Sequence, residues 1–275
     1  SGGVAATSAG AFAAQGQGDG KGQGEDPMDA MPDGIETARV RVGHLISDAP
    51  PVDLRLTLPG LEDVVDLPAY EGLRYGQVVP NIPADYADFP AGVTFGLRVT
   101  PAGDPDTTVV EIPEIEFEAG RNYTLLAIGE LDSENDEPGP DALALVDNPH
   151  EDPPSYGRDQ LPSEDETDVR VVHALPDFTD DFRVAQVRGG GGQVGNVKYS
   201  EATDYATIDP HGEVSLHAEG ETIATVGGFR PGTRNTVYVV SDTPEPGGNK
   251  PVITSTIDAV ARPNLNVSLE NAFED

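Results

Sequence analysis

The sequence predicts an all-β protein: two tandem immunoglobulin-like β-sandwich domains preceded by an extended N-terminal arm. Three observations lead there. Short β-branched runs recur along the chain between Pro, Gly and Asp, as strands between turns do. No long stretch shows the 3.6-residue spacing of an amphipathic helix. The second half repeats blocks of the first in the same order, which marks a duplicated unit.

Residues 1–36 come first and carry Gly, Ala, Ser and Gln with few large apolar side chains. That segment cannot bury a core and reads as an arm. Its strand-compatible part, 4–13, has Val4, Ala6, Ala11 and Phe12 as apolar anchors for pairing with a sheet edge in another subunit. Ala11-Phe12-Ala13 also has the small-x-small pattern that precedes an export-signal cleavage. Both readings put the protein outside the cytoplasm.

The first sandwich is expected over 37–148, with strand-like runs at 38–46, 52–58, 93–100, 107–112, 123–128 and 142–146. A Pro-rich acidic stretch, 149–166, reads as a linker, and the second sandwich follows over 167–275. The duplication is concrete. Arg41-Val42-Gly43-His44 with Asp48 matches Arg170-Val171-Val172-His173 with Asp177, and Leu73-Arg74-Tyr75-Gly76-Gln77 matches Val197-Lys198-Tyr199-Ser200-Glu201. Asp85-Tyr86-Ala87 matches Asp204-Tyr205-Ala206, and Gly120-Arg121-Asn122 matches Gly232 followed by Arg234-Asn235. The repeated Gly fits a tight turn that needs positive φ.

These blocks resemble a family of tandem extracellular domains of unknown function, family 4397, whose units open with a Val-Arg-Val-x-His strand and an Asp-Ala-Pro turn. Here the opening stands as Val40-Arg41-Val42-Gly43-His44-Leu45-Ile46-Ser47-Asp48-Ala49-Pro50, with a second copy at 169–181 that departs at Phe178-Thr179-Asp180. The resemblance implies a secreted surface protein of haloarchaeal type with a β-sandwich fold, and brings no catalytic residues.

Charge narrows the partners. Asp and Glu number 49 and Lys and Arg 16, so the net charge is 49 − 16 = 33 negative at pH 7. Such a surface cannot replace counterions around phosphates, which argues against nucleic acid. Like charges at this density repel in dilute buffer, where the Debye length is about 10 Å at 0.1 M, and are screened in molar salt. The sequence therefore reads as adapted to brine. Circular dichroism across a salt series is expected to show the β signal lost, or the protein aggregated, in dilute buffer; an unchanged melt would refute the adaptation. No run reaches the ~18 apolar residues of a membrane-spanning helix. Cysteine is absent, which removes disulfides and thiolate chemistry.

The candidate chemistry is sparse. His44 with Asp48, and His173 with Asp177, have the residue types of an acid/base or ligand pair. They recur without a nucleophile or third ligand, so the expected role is a strand-end histidine bonded to its own turn, a structural signature of the repeat. Asp132, Glu134 and Asp136 alternate like calcium ligands, but Glu137 stands where a helix-loop-helix calcium site needs Gly. A solvated acidic loop is expected there, as at Ser163-Glu164-Asp165-Glu166. Gly189-Gly190-Gly191-Gly192 lacks the Lys-Ser or Lys-Thr of a phosphate loop and reads as a connection between strands. Asn122-Tyr123-Thr124 and Asn266-Val267-Ser268 are glycosylation sequons. No catalytic residue, metal or cofactor is assigned. The expected function is a structural or adhesive surface protein, self-associating into a pilus-like polymer through the donated arm and meeting other surface proteins or glycans. A secreted sugar- or peptide-binding module is the alternative, and an exported hydrolase ranks last.

Overall fold

A computed structural model describes residues 36–60, 66–80, 85–132, 138–148, 161–176, 182–186, 193–218, 220–241 and 251–260. The donor-strand candidates Val4, Ala6, Ala11 and Phe12, the sequon at Asn266, and Asp177, Glu134 and Asp136 lie outside them.

The described chain is all β. In the first half the strands are β1 (Thr37–Ile46), β2 (Val52–Thr57), β3 (Asp66–Leu73), β4 (Gln77–Val79), β5 (Ala87–Pro90), β6 (Thr94–Pro101), β7 (Val110–Glu116), β8 (Asn122–Gly129) and β9 (Asp141–Val146). One sheet runs β4-β1-β8-β9, with β5 also on β1, and the second runs β3-β2-β6-β7. β1 sits in the middle of its sheet and pairs parallel with β8, from Arg39↔Asn122 to Ile46↔Gly129. A strand buried on both faces reads as a near-continuous apolar run, and β1 is buried at every position from Val40 to Ile46.

The second half follows the same plan with β10 (Thr167–His173), β11 (Phe182–Gln186), β12 (Gln193–Val197), β13 (Ala206–Ile208), β14 (Glu213–Ala218), β15 (Glu221–Gly227), β16 (Thr233–Ser241) and β17 (Pro251–Val260). Its sheets run β13-β10-β16-β17 and β12-β11-β14-β15. Again the opening strand is parallel to the strand after the repeated Gly, from Thr167↔Thr233 to His173↔Val239. Where the first half has β4, the second has an isolated bridge, Val172↔Ala202. The expected left-handed glycines are present, with φ 75° at Gly120 and 69° at Gly232. Gly76 (φ 79°) and its match Ser200 (φ 63°) hold the same turn. Their amides donate to the His44 and His173 carbonyls at 2.8 and 2.9 Å.

Alternation along each opening strand sends one row of side chains inward and one outward. Val40, Val42 and Ile46 join Val52, Leu54, Leu97, Val99 and Leu125 in the first core. Val169, Val171 and Leu175 join Val214, Leu216 and Val237 in the second. The outward rows, Arg41-Gly43-Leu45 and Arg170-Val172-Ala174, would face water in an isolated sandwich. They do not here. A third apolar cluster joins Leu45, Val78, Leu126, Ile128 and Leu145 to Val172, Ala174, Tyr238 and Val240, so the β1 and β10 sheets face each other across a buried interface.

Gly43 is set by this packing. A Cβ placed on it would lie 2.7 Å from Leu126 Cδ2 and 3.0 Å from Val78 Cγ2. Val172 fills the matched position of the second half. Gly43→Val is expected to cost about 1–3 kcal/mol through overpacking, to be read from denaturant melts in molar salt; a neutral change would show that the interface yields easily.

Candidate functional site

The most elaborate polar arrangement lies between the two halves and has twofold character. Arg41 on β1 and Arg170 on β10 point outward from their sheets at matched positions. Thr124 and Thr236 stand beside them on the parallel neighbours, paired Arg41↔Thr124 and Arg170↔Thr236. Asp147 follows β9 and Asp258 lies near the end of β17. Tyr86 and Tyr205 come from the repeated Asp-Tyr-Ala segments.

Arg41 Nη2 donates to Asp147 at 3.3 Å and to Asp258 across the interface, and Nε and Nη2 donate to Thr124 Oγ1 at 3.2 and 3.0 Å. Arg170 Nη2 donates to Asp147 across the interface, and its Nε to Thr236 Oγ1 at 2.8 Å. The remaining Nη1 groups take equivalent backbone carbonyls of the opposite half, Ile257 for Arg41 at 3.3 Å and Val146 for Arg170 at 2.9 Å. Each threonine hydroxyl donates to the carboxylate of its own half at 2.6 Å, Thr124 to Asp147 and Thr236 to Asp258. Tyr86 donates to Asp147 at 2.9 Å and Tyr205 to Asp258 at 2.8 Å. The guanidinium carbons sit 4.6 and 4.7 Å from the ring centroids of Tyr86 and Tyr205.

The cluster is dry, with side-chain exposure of 1% for Arg41, Asp147 and Asp258 and 5% for Arg170. Two positive and two negative groups cancel, so burial leaves no net charge from them. Burial drives both tyrosines well above the usual phenol range, and the neighbouring carboxylates add to it. Burial alone would raise the Asp258 carboxyl, but Arg41, Arg170 and the Thr236 hydroxyl hold it below its ordinary value. These are fixed, saturated partners. They tie the strands of the first half to those of the second.

The histidines sit at the ends of β1 and β10, fully buried. His44 Nδ1 accepts from the Ile46 amide at 3.4 Å, which leaves Nε2 to donate to the Pro50 carbonyl at 3.2 Å in its own turn. Burial lowers its pKa to about 4. Asp48 is engaged elsewhere, its carboxylate accepting from the Leu131 and Asp132 amides at 2.7 and 2.8 Å. The histidine and aspartate therefore serve different loops. His173 repeats the pattern, with Nδ1 accepting from the Leu175 amide at 3.3 Å and the ring edge-on to Tyr199, as His44 is to Tyr75.

The first sequon is changed by the fold. Asn122 is 4% exposed and the Thr124 hydroxyl is engaged in the ionic cluster, so a glycan on Asn122 has no room in the folded chain. In the second acidic stretch, the Ser163 hydroxyl bonds to Asp165 and Glu166 at the surface. Among the described residues no group of three or more His, Asp or Glu has metal-site geometry. No helix in them is long and apolar enough to cross a membrane, which leaves β-barrels unaddressed.

The architecture defines an all-β protein of several sheets joined by a buried ionic interface. Residues 38–158 match the family described as "Domain of unknown function (DUF4397)". The second half lies beyond the matched residues. No curated protein matches the chain. Among solved structures, a candidate cell adhesion protein from Bacteroides ovatus aligns over 83% of this chain and 99% of its own, at 12% identity and a TM-score of 0.21. A family CBM26 module from Eubacterium rectale Amy13K, in complex with maltoheptaose, aligns over 83% and 98%, at 10% identity and a TM-score of 0.19. At those scores neither carries an argument about this chain.

Proposed function

We infer that the chain is an extracellular structural or adhesive protein of the cell surface, without catalytic activity, built from two domains of one family fixed face to face. The observation that carries this is the Arg41–Asp147–Arg170–Asp258 cluster. A protein that spans or spaces a surface must transmit force between its units without hinging, and a joint saturated with charged hydrogen bonds resists shear better than an apolar face, because each bond has a direction. The placement also suits brine. Exposed ion pairs are screened in molar salt, whereas buried ones keep most of their strength.

The acidic surface and the unassigned arm at 1–36 fit the same role. In this reading the arm joins one copy to the next, and Asn266 is left as the sequon able to carry a glycan. Immuno-gold electron microscopy of the native cell surface tests the proposal. Label on filaments or on a continuous surface layer is the expected result. Label confined to the cytoplasm would overturn it, and a soluble secreted monomer stabilised by an oligosaccharide or peptide would favour a binding module instead.

A further inference from the structure

The edge of the β1 sheet is formed by β9, which pairs with β8 alone among the described strands. Along β9 the residues facing the first core are Ala142, Ala144 and Val146, because their cross-strand partners are Ala127, Leu125 and Tyr123, which all pack in that core. Two of the three are alanines. Ala144 is exposed although it stands on a core-facing row. On the facing sheet the edge strand β7 has Ile112 and Ile115 only half-buried. The first core holds a narrow apolar slit of roughly 30 Å³, room for about one water, whose lining includes Leu97, Val110, Ile112, Leu125, Ala127 and Ala142.

The second half, on the same plan, carries larger side chains at this place. There β17 sets Ile253 opposite Val239, and Ile253 packs on the second core. The first half has Ala142 opposite Ala127. At the matched positions the first half carries Ala142 and Ala127 where the second carries Ile253 and Val239, so two smaller side chains line its seam beside the β9 edge.

We propose that this seam accepts residues 4–13 of a second copy of the chain as an added strand on β9. The assignment rests on the self-associating surface reading above and names its site. Charge selects the occupant. Residues 1–18 contain no Asp, Glu, Lys or Arg, the longest neutral run in a chain of net charge −33, so they can approach another copy with the least repulsion. Pattern agrees. An extended strand places alternate residues on one face, which puts Val4, Ala6 and Phe12 in one row and Ala11 in the other. Small side chains suit a narrow seam, and the backbone gains hydrogen bonds along β9 short of Val146, whose carbonyl is taken by Arg170. Because donor segment and acceptor seam are different surfaces, the contact is heterologous and propagates.

The absence of native cysteine makes the test direct. Full-length chains carrying Phe12→Cys are mixed with full-length chains carrying Ala144→Cys, in molar salt under mild oxidation. A control mixture uses Glu221→Cys, an exposed position on β15 of the second half. Intermolecular disulfides at 144 well above those at 221 are expected. Adding Ala142→Ile to the acceptor chain, which copies the larger side chain of the second half, should abolish the excess. Phe12→Asp in an unlabelled chain, which leaves both cores untouched, should abolish sedimentation as a polymer. Equal cross-linking at 144 and 221, with polymers that survive both substitutions, overturns the seam while leaving a self-associating protein. A wild-type chain that stays monomeric at every concentration in molar salt overturns the seam and the polymer together.

Discussion

Asp147→Ala is expected to destabilise the protein by about 3–5 kcal/mol, because it leaves buried charge without its partner. Asp147 accepts from both arginines, from Thr124 and from Tyr86. Without it, Arg41 and Arg170 share Asp258 alone and the interface carries one excess positive charge out of water. The damage should also change the shape of unfolding. If the cluster is what couples the halves, the single transition of the wild type should separate into two as each half melts on its own core. Replacing the cluster jointly by apolar residues of similar volume should recover most of the loss, since a buried ionic group often adds little over well-packed hydrophobic side chains. Calorimetry and denaturant melts at one fixed molar salt concentration check both statements. A loss under about 1 kcal/mol, with one transition retained, would mean that water reaches the cluster or that the apolar contacts alone hold the halves.

Acidification should reveal His44. Its ring is fully buried and neutral, with a pKa lowered to about 4 by burial against an ordinary 6.5. Between those values the unfolded chain binds a proton that the folded chain refuses, so stability falls as pH drops from about 6.5 to about 4, and this contribution levels off below. A displacement of that size corresponds to about 3 kcal/mol at full expression. Asp258, held low by the arginines, contributes in the same direction, losing its stabilisation as pH falls through its own depressed value. Lower pH also relieves the repulsion among surface carboxylates, which acts the other way, so the comparison must be made against a variant. His44→Gln is expected to be less stable at neutral pH and to lose most of the slope between pH 6.5 and 4. Parallel slopes for the two proteins would show that the imidazole is hydrated.

The strands legible in the sequence are those buried on at least one face with β-branched composition, which is why β1, β2, β6, β8 and β9 fall within a residue or so of their expected places. β3, β4 and β5 were not legible. β3 contains Pro68 and Gly72 and runs through bulges against β2, while β4 and β5 have three and four residues, too few to show alternation. The parallel pairing of β1 with β8 was equally hidden, since hydrophobic pattern reports burial but not which strand is the neighbour. The ionic cluster was half visible. Arg41 and Arg170 recur in the middle of apolar strands, and Tyr86 and Tyr205 recur in a short motif, yet an outward-facing arginine on one sandwich reads as a solvated residue. Asp147 and Asp258 were indistinguishable from the other acids of so acidic a chain.

The sequence by itself determined the strand class, the turn glycines at 120 and 232, and the acidic composition, because each depends on local backbone preference, on period-two alternation or on residue counts. Only the tertiary structure decided that the outward rows of β1 and β10 meet. That contact joins residues as far apart as Arg41 and Asp258, 217 positions along the chain. It turns two arginines from surface charges into buried ones, makes Gly43 a packing requirement and engages the Thr124 hydroxyl of the first sequon. Burial of a polar side chain is a property of the second surface laid over it, and no pattern along one strand records where that surface will come from.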